Sequence, residues 1–121
     1  MHLDTTAGAH RITGYGSGYV TVDETRLTRS LVVTPDVLIN DWSPQSVVEL
    51  DEAALEIVAH LRPAIVLLGT GAQQSFPPSR LLAGLFAEGI GVEIMTTAAA
   101  CRTYNILVAE GRPVAAALFM P

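Results

Sequence analysis

The run MTTAAACRTYN, Met95 to Asn105, gathers three threonines, the only cysteine, an arginine and an asparagine into eleven positions. Thr96 or Thr97 is placed to cap a helix, whose free N–H groups carry the positive end of the helix dipole. Arg102 lies within two turns of that end, so the run is a candidate anion site. The same dipole and Arg102 can lower the pKa of Cys101 and make it a nucleophile. A structural reading stands beside this one. Cys101, Tyr104 and Val108 fall at i, i+3 and i+7 and share one face, which turns the thiol toward the core. Arg102 and Asn105, three apart, share another face, where they serve either a ligand or loop carbonyls and acids such as Glu93 and Glu110. Ala98, Ala99 and Ala100 allow the helix to approach a sheet closely. No histidine is within local reach of the thiol, because His2 and His10 are N-terminal and His60 ends another helix.

A second stretch, GTGAQQSFPP from Gly69, follows the short apolar run AIVLLG. It lacks the third glycine of a dinucleotide fingerprint, so a tight turn explains it as well as a nucleotide does. In an open parallel sheet, ligands bind beyond the carboxyl ends of the strands. Two such ends, at Gly69 and Met95, would bring the loop and the helix start together. The candidate crevice therefore comprises Gly69, Thr70, Gly71, Gln74, Pro77, Thr97, Cys101, Arg102 and Asn105.

Composition removes whole classes of reaction. All seven basic residues are arginine, which leaves no lysine for a Schiff base or a Walker loop. Asp36, Asp41, Glu49, Asp51, Glu52 and Glu56 lack metal-ligand spacing and read as surface; no metal is expected. Residues 1 to 60 hold three Arg against nine acids, and residues 61 to 121 hold four against three. That balance argues against nucleic acid and against an anionic membrane surface. One cysteine fits a reducing compartment. With no signal-like N-terminus and no run of about 18 apolar residues, the expectation is a soluble, cytoplasmic protein.

The elements that must position these residues follow from periodicity. RITGYGSGYVTV reads as two short strands around a Gly-Ser-Gly turn, then a strand near Leu27 to Val33 and another at Val37 to Ile39. Trp42, the only tryptophan, sits in the polar loop NDWSPQS and serves as a lid over the sheet or as an interface anchor. Asp51 caps a helix carrying Leu50, Ala54, Ile57, Val58 and Leu61 at helical spacing. AIVLLG is a strand covered on both faces. Ser79 caps a helix running to Gly89, GVEIM is the next strand, TTAAACRTYNILVAEG the next helix, and PVAAALFM the last strand. This order predicts one α/β domain over residues 10–121 behind a tail at 1–9: a three-layer sandwich with a central, largely parallel sheet and an added N-terminal antiparallel β-unit. An apolar strand so near the chain's end would lie at a sheet edge, which predicts a monomer or weak homodimer.

LLGTGAQQSFPP, GIGVEIMTTAAACRTYNILVAEGRPVAAAL, LVVTPD and DW resemble a family of small domains of unknown function. It includes the mitochondrial respiratory complex I (NADH dehydrogenase) assembly factor three and an adipogenesis-associated protein. The likeness spans residues 10 to 120 and implies the three-layer fold, no established catalytic activity and no cofactor; the short length and the lack of a targeting peptide lead to the expectation of a bacterial stand-alone member. The recurring residues of the family fall here on Gly69, Thr70, Gly71, Gln74, Pro77, Gly91, Thr97, Cys101, Arg102, Asn105, Glu110 and Arg112. Eukaryotic members act in assembling complex I through protein contacts. The expectation is a non-enzymatic interaction module with another protein as partner; the alternative is a small-anion-binding protein or enzyme built on the 69–77 loop and the 97–105 helix start.

Overall fold

The computed structural model describes residues 8–121; most of the expected tail, residues 1–7 with His2, lies outside the described residues. Three short strands, β1 (Ile12–Gly16), β2 (Tyr19–Val22) and β3 (Thr25–Leu27), form an antiparallel sheet of their own. The main sheet has five strands: β4 (Leu31–Val33), β5 (Leu38–Asn40), β6 (Ile65–Thr70), β7 (Gly91–Met95) and β8 (Val114–Phe119), in the order β5-β4-β8-β6-β7. Strands β8, β6 and β7 run parallel, while β4 joins β8 and β5 antiparallel. The sheet is therefore mixed, and the expected N-terminal unit is divided between two sheets. The division falls at Thr28-Arg29-Ser30, where the anticipated single strand from Leu27 to Val33 breaks. Ser30 is buried there, and its hydroxyl donates to the carbonyls of Trp42 and Pro44, which ties the chain to the tryptophan loop.

The position of β8 corrects another expectation. It lies in the middle of the sheet, between β4 and β6, and all six of its residues are buried. A strand late in the chain is not thereby an edge strand, because crossover connections can return it to the centre. The dimer expectation loses its premise; the outer strands are β5 and β7.

Alternation along the central strands creates two cores, one on each face. Val32, Val66, Leu68, Ala115, Ala117 and Phe119 point to one face, and Leu31, Val33, Leu67, Val114, Ala116 and Leu118 to the other. The first face is covered by α1 (Glu52–Ala59), a 3-10 turn at Ser79–Leu82 and α2 (Ala83–Ala87). The second is covered by α3 (Thr97–Ala109) together with β1 and β2. These are the three layers. Asp51 caps α1 as expected, accepting from the Ala54 N–H at 2.8 Å. Ser79 does not cap the next helix: it opens the 3-10 turn, and only one α-helical turn follows. Pro77 and Pro78 supply no N–H there, and Gly84 lowers helix propensity in a segment too short to propagate.

Trp42 is a core lid. It is buried, its ring stacks on Phe119 at 5.4 Å between centroids, and its indole N–H donates to the Ala54 carbonyl at 3.2 Å. One side chain thus joins the central strand β8 to helix α1.

Candidate functional site

The loop after β6 and the start of α3 meet, as their places at neighbouring strand ends require, and Thr97 is the knot between them. Thr96, not Thr97, is the helix cap, its side chain accepting from the Ala99 N–H at 3.3 Å. That leaves the Thr97 hydroxyl free to turn inward. It accepts from the Gly71 N–H at 2.8 Å and donates to the Phe119 carbonyl at 2.6 Å. The Thr97 N–H donates in turn to the Gly71 carbonyl at 3.0 Å. The ends of β6 and β8 are so fastened to the helix start, and that first N–H is satisfied by protein. Glycine is needed on the other side of the contact. A Cβ on Gly69 would lie 2.8 Å from Leu118 Cδ2 and 3.0 Å from Thr97 Cα, and Gly71 has φ +101°.

Thr70 and Gln74 shape the loop itself. The Thr70 hydroxyl accepts from the Ser75 N–H at 3.0 Å and lies 2.8 Å from the Gln73 carbonyl. The Gln74 amide donates to the Ile94 carbonyl at 2.8 Å, occupying an acceptor on an outer strand of the kind another chain would otherwise find open.

Arg102 and Asn105 face the small sheet. The Arg102 guanidinium donates to the Tyr15 hydroxyl at 2.8 Å and not to the 69–77 loop, to Glu93 or to Glu110. The reason is reach: one and a half turns into α3, its side chain meets β1 rather than the end of β6. Among the described residues Glu110 lies near Arg112 instead, at 3.9 Å. The Asn105 amide clasps Ile12, accepting from its N–H at 3.0 Å and donating to its carbonyl at 2.6 Å. It acts as a substitute strand partner where the β1–β2 register shifts between Ile12 and Gly14. Asn105→Ala strands both groups and is expected to cost about 1–3 kcal/mol, read as a lower denaturant midpoint; Asn105→Leu, of similar volume, should recover none of it.

Cys101 is buried, together with Ala100 and Tyr104. Burial pushes the thiol from its ordinary 9.0 up to about 12, with the charge of Arg102 acting in the opposite sense. Burial likewise raises the Tyr104 phenol, whose hydroxyl donates to the His10 carbonyl at 2.9 Å. A native thiol that stays protonated should be inert to alkylation at neutral pH and react only on unfolding. Because the folded pKa is raised, the linked stability is complete below the unfolded value. It is lost as pH climbs from 9.0 toward about 12. Denaturant midpoints should therefore fall across that alkaline range, and Cys101→Ala should shallow the fall.

The structure thus brings Gly69, Thr70, Gly71 and Thr97 into direct contact, sets Arg102 and Asn105 against β1, and buries Cys101 between. Pro77 belongs elsewhere. It lines an open groove of about 440 Å³ with Val47, Val48, Leu50, Phe76 and Leu81. Val48 and Phe76 are large apolar side chains left 94% and 68% exposed. In the sequence Phe76 is one more residue of the 69–78 loop, yet the two prolines after it already bar it from a helix or an inner strand. Among the described residues no group of three or more His, Cys, Asp or Glu comes together to hold a metal ion, and no helix is long and apolar enough to cross a membrane.

Against known proteins, the chain is 33% identical over 112 residues to the NADH dehydrogenase (ubiquinone) 1 alpha subcomplex assembly factor 3 of Rattus norvegicus. The match covers 91% of this chain and 60% of that protein, so the chain spans about three fifths of the relative's length. The crystal structure of a Bordetella parapertussis protein superposes with a TM-score of 0.89 at 36% identity, covering 94% of this chain and 98% of that one. A Mth938-like domain of Bordetella pertussis, solved by NMR, superposes with a TM-score of 0.84 at 30% identity, covering 98% and 90%. The model of a family described as protein of unknown function (DUF498/DUF598) matches residues 12–119, the whole of both sheets and all three helices, and the chain belongs to that family.

Proposed function

We propose that this chain is a non-enzymatic protein-binding module that acts as an assembly factor, with the Val48–Phe76 groove as its contact surface. The observation that carries the reading is the pair of apolar side chains held out to solvent at one groove, Phe76 just ahead of Pro77-Pro78 and Val48 on the 3-10 turn Val47–Glu49. Exposed apolar groups clustered at a groove are the usual mark of a surface that another protein covers. The likeness to a complex I assembly factor supports the class of partner, a component of an NADH dehydrogenase under construction. In this reading the Gly69–Gly71 and Thr97 contact anchors the root of the loop that carries Phe76, while Arg102 and Asn105 hold α3 to β1 on the opposite face of the sheet. A reducing, cytoplasmic setting belongs to the same proposal and rests on the single buried cysteine.

The test is Val48→Asp with Phe76→Asp in cells deleted for the natural copy. Both positions are exposed, so the melting behaviour should stay within about 0.5 kcal/mol of the parent, while the assembled NADH dehydrogenase seen on native gels should fall to the level of the deletion strain. Full assembly in the deletion strain, or full rescue by the double variant, overturns the proposal.

A further inference from the structure

We infer that the face formed by α1 and α2 selects a basic amphipathic segment of a protein partner; the inference rests on the protein-binding reading and adds the chemistry of the occupant. The Val48–Phe76 groove continues past Leu81 into a second furrow of about 160 Å³ between α1 and α2, since Leu81 lines both. The floor of that furrow is apolar, with Leu55, Ala59 and Leu85. Its rim is acidic. Glu52 and Glu56 stand one helical turn apart on α1, and Glu88 stands opposite, at the end of α2. All three are exposed. In the adjoining groove Asp51 adds a further acid against a single cation, Arg80. None of these charges takes part in an ion pair among the described residues.

An apolar floor between like-charged rims is complementary to a segment with apolar residues on one face and Lys or Arg along its flanks. The length fits a short helix: the eight residues of α1 rise about 12 Å, so an occupant of two to three turns can lie along α1. A neutral or acidic segment could fill the apolar floor but would bring no countercharge to the rim. An anionic lipid surface would be repelled by it. So small a contact lies below the standard interface size, and an isolated peptide is expected to bind with Kd on the order of 10–100 μM.

The probes are two synthetic peptides of about 14 residues with one apolar face of leucines spaced i, i+3, i+4 and i+7, flanked by lysine in one and by glutamate in the other. They are titrated into the full chain by NMR. The lysine peptide should shift the amides of Leu55, Gly84 and Leu85, bind about tenfold or more tightly than its glutamate twin, and weaken as salt rises. The Glu52→Gln, Glu56→Gln, Glu88→Gln variant should lose about tenfold for the lysine peptide, the product of three exposed pairs each worth about twofold. Arg80→Glu should tighten it. Equal binding of both peptides in the furrow overturns charge selection while leaving the protein-binding proposal standing. Shifts confined to other surfaces, or no binding by either peptide, overturns the inference, and the cell assay of the Val48 and Phe76 variants then judges the broader reading by itself.

Discussion

Exchanging Thr97 for valine is expected to lower the free energy of unfolding by about 2–4 kcal/mol although the side chain keeps its shape. The loss comes from two buried backbone groups at once. The Gly71 N–H at 2.8 Å and the Phe119 carbonyl at 2.6 Å both rely on the one hydroxyl, which is itself fully buried. Each unsatisfied group costs its desolvation, and no water reaches the contact without opening it. Thr97→Ser separates this account from packing. Serine keeps the acceptor and the donor and gives up one methyl, so its loss should be near 1 kcal/mol. Equilibrium denaturation of the three proteins decides the matter; a valine variant as stable as the parent would show that the hydroxyl fixes nothing.

That hydroxyl also marks how far the fold and the site were legible in residues alone. The pairing of the Gly69 loop with the start of α3 followed from strand ends and helix starts, which are local signals. Which threonine capped the helix did not follow, because Thr96 and Thr97 satisfy the same pattern and only the place of the β8 carbonyl of Phe119 distinguishes them. Cys101 and Tyr104 were legible as core because helical spacing is a one-dimensional property. The partners of Arg102 and Asn105 were not: Tyr15 and Ile12 lie 87 and 93 residues away along the chain. The same limit hid the central place of β8. Apolarity on every residue signals burial on both faces but carries no information on which strands lie beside it. Val48 and Phe76 were missed for the opposite reason, since apolar residues are expected inside and nothing local says that a loop will hold them out.

The removal of Trp42 should have the largest effect of any single truncation, about 3–5 kcal/mol for Trp42→Ala, and it should reach the proposed binding face. Phe119 would lose a ring stacked at 5.4 Å, the Ala54 carbonyl would lose its indole donor, and a cavity would open between β8 and α1. Helix α1 is only eight residues long, too short to persist without tertiary support. It carries Glu52, Leu55, Glu56 and Ala59 of the furrow. Loosening its underside should therefore weaken the lysine peptide even though Trp42 lines neither cavity. Trp42→Phe isolates the two contributions: the stack on Phe119 survives, the hydrogen bond does not, and the cost should be nearer 1–2 kcal/mol with peptide affinity largely kept. Amide exchange supplies the readout that peptide binding alone would not. In Trp42→Ala the α1 amides should exchange faster than those of α3, whose anchors at Thr97 and Asn105 are untouched. Uniform acceleration across both helices would instead mean that the tryptophan stabilises the domain as a whole and has no special hold on α1.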